Sequence, residues 1–157
     1  MSLDLSNISS IGGFRIDGEA SWDESGASVS GVGDVNGDGF ADVIVGAPGH
    51  DGYGRNSGEA YVVFGGTGGF PSELDPSALD GANGFRIEGG APYARAGISV
   101  SSAGDLNGDG IDDLVVGARG STYYGVAGAA YVVFGSTDGF AASLSGASLD
   151  GTNGFRL

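Results

Sequence analysis

The chain has no cysteine and no lysine, and only one histidine, one methionine and four prolines among 157 residues. Without cysteine there can be no disulfide, no thiol nucleophile and no thiolate metal site. Without lysine, a phosphate-cradling GxxxxGK[ST] loop cannot be built. Basic charge is scarce: six arginines stand against 20 acids, for a formal net charge of −14. Such a surface repels nucleic acid and anionic lipid. No apolar run is long enough to span a membrane, and the opening MSLDLSNISS lacks the basic and apolar segments of an export signal. If the parent protein is exported, the expectation is that this chain is a mature or excised piece of it.

Glycine is abundant, at 34 residues without a collagen-like period, beside an ordinary hydrophobic share of 40 %. That composition excludes both a collagen and a disordered tail. The length suits one ordinary domain. Short apolar runs separated by glycine imply a turn-rich, all-β protein.

The chain repeats itself. GFRIDG (13–18) returns as GFRIEG (84–89), GASVS (26–30) as GISVS (97–101) and AYVVFG (60–65) as AYVVFG (130–135), at offsets of 71, 71 and 70 residues, and GFRL (154–157) begins a third copy. The predicted organisation is a lead-in over 1–12, a first repeat over 13–83, a second over 84–153, and the start of a third at 154–157. Each repeat holds four runs with strand chemistry: Gly13–Ile16, Ala27–Ser30, Asp42–Val45 and Ala60–Phe64, with equivalents at 84–87, 98–101, 113–116 and 130–134. The stretch 71–83 carries Pro76 and flanking glycines, and reads as an irregular connector with at most one helical turn. Four strands per repeat is the arithmetic of a propeller blade, whose two faces must be covered by neighbours.

Between the second and third runs of each repeat lies an acidic nonapeptide, DVNGDGFAD (34–42) and DLNGDGIDD (105–113), and together the two hold seven of the 20 acids. Ca²⁺ takes six to eight oxygen ligands. Asp34, Asn36 and Asp38 offer side-chain oxygens at positions 1, 3 and 5, Gly39 permits the turn, Phe40 offers its carbonyl at 7, and Asp42 closes the shell at 9. Asp105, Asn107, Asp109, Ile111 and Asp113 repeat the set around Gly110, whereas Asp112 is expected to point outward and not to ligate. A helical hand would need a bidentate acid at position 12, where Val45 and Val116 stand, so the loops are expected to join strands. A plain Asn-Gly hairpin explains the turn but not three acids crowded around it. Two Ca²⁺ would bring the formal charge from −14 to −10.

With these residues in view, the stretches SGASVSGVGDVNGDGFADVIVGAPGHDGYGRNSGEAYVVFG (25–65) and AGISVSSAGDLNGDGIDDLVVGARGSTYYGVAGAAYVVFG (96–135) resemble the FG-GAP repeats of integrin α-subunit β-propellers and their bacterial relatives. The resemblance implies a blade whose first two strands are joined by the calcium hairpin, with AYVVFG third and GFRI outermost. The phenylalanine of the FG pair is replaced by Ser25 and Ala96, and GAP (46–48) becomes GAR at 117–119. It also implies an extracellular or cell-surface module for adhesion to a protein or glycan. A propeller needs about four to eight blades. Two repeats are therefore expected to complete a ring with copies of the chain or with the rest of a larger propeller. Two further readings are an ancillary domain of a secreted hydrolase and an excised or engineered fragment.

No catalytic constellation is evident, and the expectation is a protein without enzymatic activity. His50 is expected to be a surface-loop residue. Trp22 and its counterpart Tyr93 are expected to pack in the core or between blades. Tyr53, Tyr123 and Tyr124 are candidates for partner contact, and the recurring Arg15, Arg86 and Arg156 for structural ion pairs or carbonyl contacts.

Overall fold

The computed structural model describes Ile8, residues 13–68 and residues 70–157; apart from Ile8, the expected lead-in over 1–12 lies outside the described residues. All regular structure but two short 3₁₀ turns is strand: β1 (Arg15–Ile16), β2 (Ser28–Gly33), β3 (Asp42–Ala47), β4 (Glu59–Val63), β5 (Glu73–Leu74), β6 (Gly84–Glu88), β7 (Ala96–Gly104), β8 (Asp113–Ala118), β9 (Ala129–Val133), β10 (Ser143–Ser145) and β11 (Gly154–Arg156). Each of the eight runs picked out in the sequence overlaps one of these strands, several of which extend beyond the run. The connector after residue 70 holds one 3₁₀ turn, Pro76–Ala78, with Asp75 as its N-cap and proline at its first position, where the missing N–H costs nothing.

The strands form three sheets. The first sheet has the order β10-β6-β4-β3-β2, the second β11-β9-β8-β7, and β1 pairs with β5 alone. Within each large sheet the four repeat strands are antiparallel. Pure four-stranded antiparallel sheets were expected, and here the structure differs. β10 joins β6 in parallel, and β5 joins β1 in parallel with matching register: Arg15 opposite Glu73 and Ile16 opposite Leu74, Arg86 opposite Ser143 and Ile87 opposite Leu144. These two added strands are too short and too polar for hydrophobic patterning to reveal, since one residue, Leu74 or Leu144, supplies most of their apolar surface.

Side-chain alternation distributes the core. One face of the first sheet (Ile44, Val62, Phe64, Phe85, Ile87) packs against one face of the second (Leu114, Val116, Tyr131, Val133) in a continuous buried cluster. Phe85 stacks on Phe140 at 4.2 Å between ring centroids and tilts against Phe64 at 5.9 Å. The other face of the first sheet (Val45, Tyr61, Val63) packs with Leu74 and Leu79, against Phe14 and Ile16. The sheets approach most closely where Gly46 meets the Gly97 carbonyl; a Cβ on either glycine would collide with backbone, and Gly97 also has φ +82°. In the second repeat the glycine of the FG pair, Gly97, is thus required by contact between sheets even though its phenylalanine is gone, whereas Gly26 has open space around it and a positive φ of +87°.

Candidate functional site

Each nonapeptide folds as a tight loop between two antiparallel strands, β2 to β3 and β7 to β8, and no helix leaves either one. The turn needs glycine at its sixth position, where Gly39 and Gly110 have φ +89° and +91°. Asp34 organises the first loop: its Oδ1 accepts from the N–H of Gly37 and Asp38, and its Oδ2 from Gly39 at 2.7 Å. Asn36 donates from Nδ2 to Asp38 Oδ2 at 2.9 Å, and Phe40 N–H donates to Asp38 Oδ1 at 2.8 Å. Asp42, buried, accepts from Val35 N–H at 2.9 Å and Gly65 N–H at 2.8 Å, tying the loop to the strand exit two strands away. Burial is the main cause that raises its pKa, with the Asp38 and Asp34 charges adding to it and the two N–H donors opposing. The second loop repeats the network with Asp105, Asn107, Asp109 and Ile111, and Asp113 accepts from Leu106 and Gly135.

The structure therefore draws the nonapeptide side chains onto one turn, with their carboxylates turned toward backbone N–H groups. A carboxylate oxygen has two lone pairs, so those with one donor keep capacity for a cation. Their chemistry, all oxygen, fits a hard ion.

Asp112 corrects an expectation. It turns toward the first loop instead of outward, its Oδ2 accepting from Asp34 N–H at 3.0 Å while its own N–H donates to the Asp34 carbonyl at 3.1 Å. The first repeat has Ala41 at this position, so this clasp between loops runs in one direction only.

His50 corrects another. It is largely buried, and its ring lies between two carboxylates: Nδ1 is 3.1 Å from Glu59 Oε2, and Nε2 is 3.5 Å from Glu19 Oε2. Arg86 stands on the far side, 3.8 Å from Glu19 Oε1 and 4.0 Å from Glu59 Oε1. Glu19, His50 and Glu59 are the one group of three acid or histidine side chains among the described residues whose ligand atoms lie within 4.8 Å of one another, a spacing that can coordinate a divalent cation. Glu59 is 2 % exposed. Burial pushes its carboxyl up to about 7, against the opposing charges of His50 and Arg86. Its neighbour Tyr61, also buried, has its phenol pushed above the ordinary range by burial and by the nearby Glu59 and Glu19. Repeat comparison could have flagged the group, since the second copy has Gly90, Ser121 and Ala129 at these positions.

Trp22, expected to pack, is 90 % exposed. It shares a positive φ with its counterpart Tyr93, at 78° and 61°, which turns both residues out of the sheet path. Tyr93 stacks on Tyr124 at 3.8 Å, and Tyr123 meets Tyr124 edge-on at 4.9 Å. With Arg55, Arg95 and Arg119 these tyrosines line a cleft of about 450 Å³, so half of the chain's basic residues converge on one aromatic surface. Tyr53 is exposed nearby in sequence but does not line it. The recurring arginines make structural contacts in three different ways: Arg15 with Asp17 and Glu73, Arg86 with Glu19 and Glu59, and Arg156 over the Tyr131 ring at 5.9 Å.

Comparison with known proteins agrees with the repeat pattern. The FG-GAP repeat model matches residues 25–63 and 96–133. Phosphatidylinositol-glycan-specific phospholipase D of Bos taurus is 41 % identical over 109 residues, which is 68 % of this chain and 13 % of that protein. Integrin alpha-X of Homo sapiens is 39 % identical over 99 residues, 63 % of this chain and 8 % of that protein, and integrin alpha-2 of Mus musculus is 36 % identical over 95 residues. The chain spans about a tenth of the length of these curated relatives. Two matched repeats, each an antiparallel sheet opened by an Asp-Asn-Asp hairpin, establish the chain as a member of the FG-GAP repeat family, homologous to integrin α-subunits.

Proposed function

We propose that this chain is a calcium-stabilised segment of a β-propeller, with the sheets β2-β3-β4-β6 and β7-β8-β9-β11 as its two blades, each closed by the opening strand of the following repeat, serving as an extracellular structural and interaction module without catalysis of its own. The observation that carries the reading is the twin acidic hairpin at equivalent positions of the two sheets. Asp34, Asn36, Asp38, Asp42 and the Phe40 carbonyl would hold one Ca²⁺, and Asp105, Asn107, Asp109, Asp113 and the Ile111 carbonyl a second. The ion would neutralise acids that otherwise repel one another and would fix the hairpin whose exit Asp42 and Asp113 already tether. With three acids in a short loop, affinity falls in the range of extracellular modules, about 10⁻⁴ to 10⁻³ M.

Self-association supplies the missing neighbours in this reading. Among the described residues, β6 has a partner on each edge, β4 and β10, whereas β11 pairs only with β9 and β1 only with β5. A second copy would add its β5 to β11 in the register of β1, bringing Glu73 opposite Arg156 and displacing its own β1. Three copies give six blades and four give eight. The Arg- and Tyr-lined cleft suits an acidic protein or glycan partner by charge and by stacking. Similarity to the bovine phospholipase D favours a second reading, an ancillary propeller of a secreted hydrolase.

Isothermal titration with Ca²⁺ is expected to count two sites, and Asp34→Ala to lose the first while the second persists. Two equivalent sites surviving in Asp34→Ala would refute the assignment. Native mass spectrometry with and without chelator is expected to give a multimer of the chain carrying two ions per copy; a strict monomer would remove ring completion and leave the calcium assignment standing.

A further inference from the structure

We propose that Glu19, His50 and Glu59 form a separate binding site for a first-row transition ion of the zinc class, distinct from the acidic hairpins. Four buried side-chain polar atoms among the described residues have no hydrogen-bond partner, and three of them belong here: Glu59 Oε2, Tyr61 Oη and Arg86 Nε. Glu59 Oε2 is close to His50 Nδ1, at 3.1 Å, yet Nδ1 already accepts from Gly52 N–H at 3.1 Å. Two acceptors therefore face each other unless a proton or a cation sits between them, and leaving them bare is costly in a buried setting. A cation between them resolves it.

The geometry and chemistry select the ion. Two ligands of a tetrahedral zinc with bonds of about 2.0–2.1 Å sit about 3.3 Å apart, close to the Nδ1 to Oε2 separation. The N–H that Gly52 donates marks Nδ1 as the unprotonated nitrogen, an ion there would take over its one lone pair and release that N–H, and Glu19 supplies the third ligand from within 4.8 Å. Mixed imidazole and carboxylate donors suit zinc-class ions, whereas calcium asks for an all-oxygen shell. Arg86 organises the acids by lying nearest the Oε1 atom of each, which leaves both Oε2 atoms on the His50 side. His50 also lines an open cleft of about 570 Å³ beside Trp22 and Asp23, which gives an ion a way in and water for its remaining positions. Nothing in the repeat demands these residues, because the second copy has glycine, serine and alanine in their places.

Because the chain has one histidine, the test needs no mutation to begin. Zn²⁺ added to the full chain in excess Ca²⁺ is expected to shift the imidazole NMR resonances and to saturate at one equivalent. Co²⁺ in its place is expected to give the visible bands of a four- or five-coordinate ion. Glu59→Gln and His50→Ala should each weaken Zn²⁺ at least about tenfold in titration, while Asp109→Asn leaves it unchanged. Imidazole resonances that stay put under stoichiometric Zn²⁺ would overturn the site. So would Glu59→Gln and His50→Ala variants, folded by circular dichroism, that bind as the parent does. A proton held between His50 and Glu59 is then the alternative, seen as resonances that move with pH but not with metal.

Discussion

The two large sheets come from nearly the same sequence but sit in different surroundings. The first is covered on both faces, by the second sheet on one side and by Phe14, Ile16 and Leu74 on the other. The second is covered on one face only. At equivalent positions Ile44, Ala60 and Phe85 are fully buried, whereas Val115, Ala130 and Phe155 are half-buried. The residue types are conserved between copies while the burial is not. A strand's apolar character therefore reports the neighbour it is built to meet, and the half-buried face of the second sheet has the composition of an interior.

Substitutions at matched positions sharpen this contrast. Phe85→Ala removes a ring stacked inside the shared core and is expected to cost about 4 kcal/mol, against roughly 1 kcal/mol for Phe155→Ala, which is half-buried and meets Phe134 edge-on at 5.9 Å. Urea unfolding of the two variants at a protein concentration that keeps the chain monomeric checks it; losses that become equal as concentration rises would mark cover of the Phe155 face by a second copy.

Glu59 and Ala129 offer the next comparison. Folding raises the Glu59 carboxyl from 4.5 to about 7, so the folded chain binds its proton more tightly than the unfolded chain. Stability from this group is full below about pH 4.5 and is lost as pH rises through 7, by on the order of 2–3 kcal/mol in metal-free buffer. Glu59→Gln is expected to flatten that fall, as read from unfolding midpoints across the window. Ala129→Glu, at a half-buried position where a carboxylate keeps more of its water, should not reproduce it in the second sheet.

The smallest effect concerns the one-way clasp. Asp112→Ala removes the acceptor for Asp34 N–H and should cost about 1 kcal/mol, with a matching loosening of the first acidic hairpin. Ala41→Asp places an acid at the equivalent position, where no preceding loop faces it, and should be close to neutral.

Much of this was legible in the residues. Eight of the eleven strands were marked by β-branched runs at a repeating offset, and GFRL at 154–157 marked a ninth, because alternation and repetition both survive in sequence. β5 and β10 were not, since a two- or three-residue strand held by parallel pairing leaves almost no pattern. The hairpins could be read because their ligand-type residues are adjacent along the chain. The His50 group was not read as a site, because Glu19, His50 and Glu59 come from separate segments and meet only through the packing of β4 against β6 and the loop after β3; the sole trace in sequence is that all three depart from the second copy. Trp22 was misjudged for a related reason: its size favours burial, but its left-handed backbone conformation directs it to solvent.

The first sheet takes both β6 and β10 from residues 84–153, so the second repeat lends strands to the first, as one roof tile overlaps the tile below. No cut along the sequence separates two self-sufficient halves, so the repeats should unfold as one cooperative block. Amide exchange in β6 and β10 should then report the same opening energy as β8 and β9, although they belong to different sheets. In such a shingled array, stability passes along the chain by loaned edges as well as by touching faces.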